Sequence, residues 1–108
     1  MAESTDVVQG TLDMLILKSL SLEPSHGFAI TKRIEQISDG VFKVNPGSLL
    51  LAFQRMERDG LIKAEWSTSE NNRRAKYYAI TAKGRRRLAA DTNDWERRAA
   101  AIAKLLEA

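Results

Sequence analysis

Pro46-Gly-Ser-Leu-Leu-Leu-Ala-Phe-Gln-Arg-Met-Glu57, preceded by Asn45 and followed by Arg58-Asp59-Gly60, is the stretch on which the reading of this chain turns. Asn45 can cap a helix, and Pro46 suits its first turn because the missing N–H has no intrahelical acceptor there. Asp59-Gly60 stops the helix, and Leu61-Ile62 begins something extended. Leu49, Ala52, Phe53 and Met56 fall at i, i+3, i+4 and i+7 and mark one face as core. The opposite side carries Ser48, Gln54, Arg55 and Arg58.

Outward from this helix, residues 61–68 alternate between two faces, as a half-covered strand does. Glu70-Asn71-Asn72-Arg73 reads as a polar turn, because Asn tolerates positive φ. Lys76-Tyr77-Tyr78-Ala79-Ile80 is the return strand of a hairpin. Upstream, residues 11–20 predict a first helix with Leu12, Leu15, Ile16 and Leu20 as its core stripe. Ser25 is the expected N-cap of a second helix over 26–38, with Ile30, Ile34 and Ile37 inward and Lys32, Arg33 and Glu35 outward. Residues 41–44 allow one small strand. Thr81 caps a long last helix over about 82–106. The order α-α-(β)-α-β-β-α is a mostly helical α+β fold, a winged helix-turn-helix with a long C-terminal helix. The expected division is a flexible arm at 1–8, the winged unit at 9–81 and a dimerisation helix at 82–108, all in one structural domain.

A helix with an apolar back and a Gln/Arg front, followed at once by a basic hairpin, has the chemistry of a reader of duplex DNA. Arg can fork onto guanine, Gln can pair with adenine, and a hairpin can reach phosphates. Ser48, Gln54, Arg55 and Arg58 are the expected groove contacts, and Asn72, Arg73, Arg74 and Lys76 the expected wing contacts. The wing cluster also fits a solvated hairpin tip, although its place beside the helix favours contact with the DNA backbone or minor groove. Leu50 and Leu51 fit this less easily, and three roles are open to them: packing on helix two, touching thymine methyls, or neutrality.

The 108 residues carry 17 Lys+Arg against 14 Asp+Glu, a formal charge of +3 that suits nucleic acid without demanding it. There is no Cys, hence no disulfide and no thiolate metal site. The single His26 opens a helix and has neither a nucleophile nor further ligands at motif spacing, so a structural role is expected. No phosphate loop, HExxH or GxSxG occurs, so a small enzyme ranks far behind, and no cofactor is implied. The polar, acidic start lacks a basic n-region, and the apolar run at 12–22 is interrupted by Asp13 and Lys18, so a cytoplasmic protein without membrane attachment is expected.

In the last helix, Leu88, Thr92, Trp95, Ala99, Ile102 and Leu106 are spaced 4, 3, 4, 3 and 4, an a/d seam for a partner helix. Helix one is apolar over too wide an arc for one contact, so Met14 and Leu17 are assigned with Leu88, Trp95, Ala99, Ile102 and Leu106 to a homodimer interface. Trp95 reads first as interface packing, with binding of a flat aromatic effector as its second reading.

Several stretches together resemble the PadR family of bacterial transcriptional regulators, over about residues 9–106. They are Gly10-Thr-Leu-Asp-Met-Leu-Ile-Leu, His26-Gly-Phe-Ala-Ile, Gly47-Ser-Leu-Leu-Leu-Ala-Phe-Gln-Arg-Met-Glu, Gly60-Leu-Ile and Arg74-Ala-Lys-Tyr-Tyr-Ala-Ile-Thr-Ala-Lys-Gly-Arg. Each is weak alone; in order they are specific. The short last helix is similar to that of compact members with one C-terminal helix. The resemblance implies a homodimer joined through that helix and repression at an inverted-repeat double-stranded operator. It places Ser48, Gln54 and Arg55 at the major groove and Arg73 and Arg74 in the wing. It also implies that a small aromatic effector could occupy the dimer interface beside Trp95. Two departures stand out: Leu50-Leu51 replace the usual Tyr-Pro, and Phe28 replaces a usual Tyr. The alternative reading is a winged-helix module that binds protein and not DNA.

Overall fold

A computed structural model describes residues 5–6, 9–68 and 71–108. The order along the chain is β1 (Thr5–Asp6), α1 (Gln9–Leu22), β2 (Ser25–His26), α2 (Gly27–Ile37), β3 (Phe42–Lys43), α3 (Pro46–Arg58), β4 (Ile62–Thr68), β5 (Arg74–Ile80) and α4 (Ala82–Glu107). This is the expected mostly helical winged helix, with two additional strands of two residues each.

Both additions come from short segments that pair across the fold. Ser25–His26 runs antiparallel to β5, with Ser25 opposite Tyr78 and His26 opposite Tyr77, giving a three-stranded sheet in the order β2-β5-β4. Ser25 is therefore a buried strand residue and not the cap of α2. The cap is His26, whose Nδ1 accepts the Ala29 N–H at 3.3 Å. Thr5–Asp6 pairs parallel with Phe42–Lys43, so these two residues of the expected flexible arm join a small sheet. The rest of that arm, 1–4 and 7–8, lies outside the described residues. In the wing turn, Asn72 takes the expected left-handed conformation at φ 57°, while Glu70 lies outside the described residues.

The helix ends are specified by local hydrogen bonds. Asn45 Oδ1 accepts from the Gly47 and Ser48 N–H groups at 2.8 and 3.3 Å, with Pro46 in the first turn. At the other end of α3 the Leu61 N–H reaches the Met56 carbonyl and the Gly60 N–H the Glu57 carbonyl, a Schellman closure. Gly60 supplies the left-handed residue at φ +76°. Thr81 Oγ1 accepts the Gly84 N–H to cap α4 and donates to the Gly60 carbonyl at 2.7 Å, joining the start of α4 to the end of α3.

The core lies around α1. Leu12, Ile16, Leu17 and Leu20 from α1 are buried with Ile30 and Ile34 of α2, the Leu49–Ala52–Phe53–Met56 face of α3, Leu61 just before β4, and Ile62, Tyr78 and Ile80 of the sheet. Leu17 is 0% exposed, which corrects its assignment to a dimer interface. The wide apolar arc of α1 arises because α2, α3, α4 and β5 all pack on this helix within one chain. Leu88 likewise packs on the chain's own core and is not a free seam position. In α2, Ile37 is exposed, whereas Arg33 turns inward and donates to the Ser19 carbonyl at 2.9 Å, holding the end of α1.

Only the first part of α4 has a bed. At Gly84 a Cβ would overlap the Leu61 carbonyl oxygen and come within 2.8 Å of Ile80 Cγ1, so the helix lies directly on the backbone at the wing base. Thr92 and Ala99 are half-buried, whereas every residue from 100 to 108 is exposed. With 26 residues the helix is about 39 Å long, and its second half projects from the domain.

Candidate nucleic-acid interface

The burial pattern of α3 defines its outer surface. Leu49, Ala52, Phe53 and Met56 are buried, so the opposite stripe is Gly47, Leu51, Gln54 and Arg58, at i, i+4, i+7 and i+11. All four are exposed, and Ser48 is exposed beside them. Of the four groove residues read from the sequence, Ser48, Gln54 and Arg58 therefore lie on the accessible surface.

Arg55 does not. Its guanidinium is turned toward α1, where it forms an ion pair and hydrogen bond with Asp13 Oδ1. The side chains are 29% and 10% exposed, respectively. Burial raises the Asp13 carboxyl above its ordinary pKa, and the charge and hydrogen bond of Arg55 act against that rise. The expected base contact by Arg55 is corrected accordingly: the residue fastens α3 to α1. Sequence periodicity missed this because the partner lies 42 residues away.

Two contacts set the wing against α3, and a third within β5 braces them. The Phe53 and Tyr78 rings stack with centroids 4.1 Å apart. Lys76 Nζ reaches Glu57 Oε1 at 3.4 Å and lies over the Tyr78 ring. Lys76, expected among the wing contacts, is thus a half-buried brace at the wing base. Farther out, Arg74 lies over the Trp66 ring at 4.9 Å, a cation–π contact that orients an exposed guanidinium. Asn72 and Arg73 are exposed at the tip.

Two hollows border this surface. Between the start of α2 and the wing, a space of about 600 Å³ is lined by Lys32, Arg33, Arg73 and Arg74 with Glu23, Asn71 and Tyr77. Arg33 is engaged with Ser19 and Glu23, so Lys32, Arg73 and Arg74 are the cations this hollow presents, and they suit an anionic backbone. Lys32 and Phe28 belong to this surface, with Lys32 Nζ 5.5 Å from the Phe28 ring centroid. The only sequence clue was their i, i+4 spacing on the outward side of α2. The second hollow, about 530 Å³, lies between α2, α3 and the wing and is largely apolar, lined by Phe28, Leu49, Leu50, Phe53, Ala75 and Tyr78 among others.

On α4, Trp95, Ile102, Leu105 and Leu106 are 51%, 53%, 75% and 82% exposed, so the apolar seam is uncovered within one chain. Met14 is half-buried and shares with Trp95 a hollow of about 330 Å³ between α1 and α4, walled also by Thr11, Arg87, Asp91, Asp94 and Arg98. Among the described residues no group of His, Cys, Asp and Glu could hold a metal ion, and no helix is long and apolar enough to cross a membrane.

Comparison with known proteins places this geometry. The family model described as transcriptional regulator PadR-like matches residues 16–90. A transcriptional regulator from Clostridium thermocellum is 31% identical, with a TM-score of 0.80 over 89% of this chain and 93% of its own. A PadR family transcription regulator from Clostridium difficile is 29% identical, with a TM-score of 0.76 over 88% of this chain and 97% of its own. A PadR-like transcriptional regulator from Bacillus cereus is 26% identical, with a TM-score of 0.81 over 93% and 95%.

Proposed function

Because this chain belongs to the PadR-like family of transcriptional regulators, which are DNA-binding proteins and not enzymes, we propose that it is a cytoplasmic homodimeric repressor of an inverted-repeat operator. The observation that carries the reading is the exposed polar stripe of α3, joined to the cation-lined hollow of α2 and the wing through the apolar hollow that Leu50 lines, the two hollows sharing His26, Phe28 and Ala75. The stripe presents Gln54 and Arg58, with Ser48 alongside, to base edges. Lys32, Arg73 and Arg74 lie where phosphates flank the groove, and phosphate contacts fix register and affinity without reading sequence.

The dimer reading rests on α4. Its exposed apolar residues sit at seam spacing, and a second copy related by a two-fold axis covers them with the same patch. Trp95, Ala99, Ile102 and Leu106 form the seam and Met14 borders it. Two α3 helices then meet successive major grooves about 34–36 Å apart, or a multiple of that. Trp95 is read as packing: its hollow is walled by four charged residues, which suits interface ion pairs better than a flat aromatic effector.

The test is binding to bulk duplex DNA across a salt series. A regulator holding phosphates through these cations loses affinity steeply, with log affinity linear in log salt. A protein-only module shows no salt-dependent DNA binding.

A further inference from the structure

The family resemblance does not explain Leu50-Leu51, and the fold separates the two. Leu50 turns toward the wing and helps to line the apolar hollow with Phe28, Phe53 and Tyr78. Leu51 lies in the middle of the outward stripe, one turn after Gly47 and three residues before Gln54, and is 64% exposed. Gly47 offers no side chain to cover it. Leu50 and Phe28 are also exposed, but on the wing side; within the stripe Leu51 is the one large apolar side chain, between Gly47 and the polar Gln54 and Arg58, and it suits a partner that is apolar at that point.

The surroundings say which partner. Arg58 shares the stripe with Leu51, and the hollow lined by Lys32, Arg73 and Arg74 shares His26, Phe28 and Ala75 with the apolar hollow that Leu50 lines, so a partner covering Leu51 meets cations around an apolar spot. The major groove of duplex DNA has this character: phosphates on both rims, and thymine C5-methyl groups projecting from its floor. We propose that Leu51 reads thymine by packing on its methyl group, making it a specificity-determining residue of α3, while Gln54 and Arg58 read the neighbouring base edges. This rests on the DNA-binding reading above. It adds a chemical prediction, that each half-site contains a thymine whose methyl, and not its hydrogen-bonding edge, is recognised.

The test removes only that methyl. Random 30-base-pair duplexes are selected on the purified full chain, and the recovered site is synthesised with dT or dU at each thymine in turn. One dT→dU change in a half-site should weaken wild-type binding about fourfold, the value of one buried methyl. The same change should have no effect on Leu51→Ala, which is an exposed position and leaves the fold intact. If no dU change weakens wild type, or if Leu51→Ala responds as wild type does, the assignment is overturned while DNA binding stands. If Leu51→Ala alters self-association and not DNA affinity, a second copy covers Leu51 and the assignment again fails. If no duplex is retained at all, the DNA-binding reading itself has failed.

Discussion

Replacing Arg55 with Ala should damage the fold and not the base preference. Asp13 is 10% exposed and sits between α1 and α3 with Arg55 as its charged partner. Removing the guanidinium leaves a carboxylate with its desolvation and without its counter-charge. Breaking a buried ion pair costs about 3–5 kcal/mol. The Arg55 side chain is 29% exposed, so water reaches this pair and the cost is discounted to about 2–3 kcal/mol. For a chain of this length that corresponds to about 10–15 °C in melting temperature.

The pH dependence has a definite sign. The folded pKa of Asp13 is already raised, so its protonated form is favoured in the native state relative to the unfolded chain. Stability from this group is fully present below the unfolded pKa and is lost as pH rises through the folded pKa. Without Arg55 the folded pKa rises further, so the deficit of Arg55→Ala should shrink on acidification and be full at neutral pH. Thermal melts followed by circular dichroism, at one protein concentration and a series of pH values, measure this. The double replacement Asp13→Leu/Arg55→Leu removes both charges and should melt close to wild type, since apolar substitutes for buried pairs are often neutral or better. A single mutant that melts within 2 °C of wild type, a margin of roughly 0.5 kcal/mol or less, and loses one base preference would return Arg55 to the groove.

Arg73→Ala/Arg74→Ala should weaken specific and bulk DNA binding alike and lower the salt slope by about 1 per lost phosphate contact in each subunit; an unchanged slope makes the wing tip merely solvated. Ile102→Asp, placed where the residue is exposed in one chain, should leave secondary structure intact but yield a monomer by sedimentation velocity. Gly84→Ala drives a Cβ into the Leu61 backbone and should cost about 3 kcal/mol, the upper end for overpacking, read as a lower denaturant midpoint.

Much of the fold was legible because its signals are local. Asn45-Pro46, Gly60 and Thr81 place helix ends, and the period of Leu49–Met56 places a buried face. What escaped depends on partners distant in sequence. Two-residue strands such as Ser25–His26 are too short to show a period, and they exist because β5 offers them an edge. Leu17 resembled an interface residue because sequence shows how much of a helix is apolar but not how many neighbours surround it. At the candidate site, Ser48, Gln54 and Arg58 were placed by periodicity alone. Arg55 and Lys76 were not, because an arginine that reads guanine and one that neutralises a buried carboxylate look identical in sequence.

In the proposed complex two copies of α3, held by paired α4 helices, read two half-sites of one operator. Hydroxyl-radical footprinting on a duplex recovered by selection tests it most directly. Two protected windows are expected, related by a two-fold axis over an inverted repeat, their centres about 34–36 Å apart or a multiple of that. A single protected window over a site without internal symmetry would contradict it.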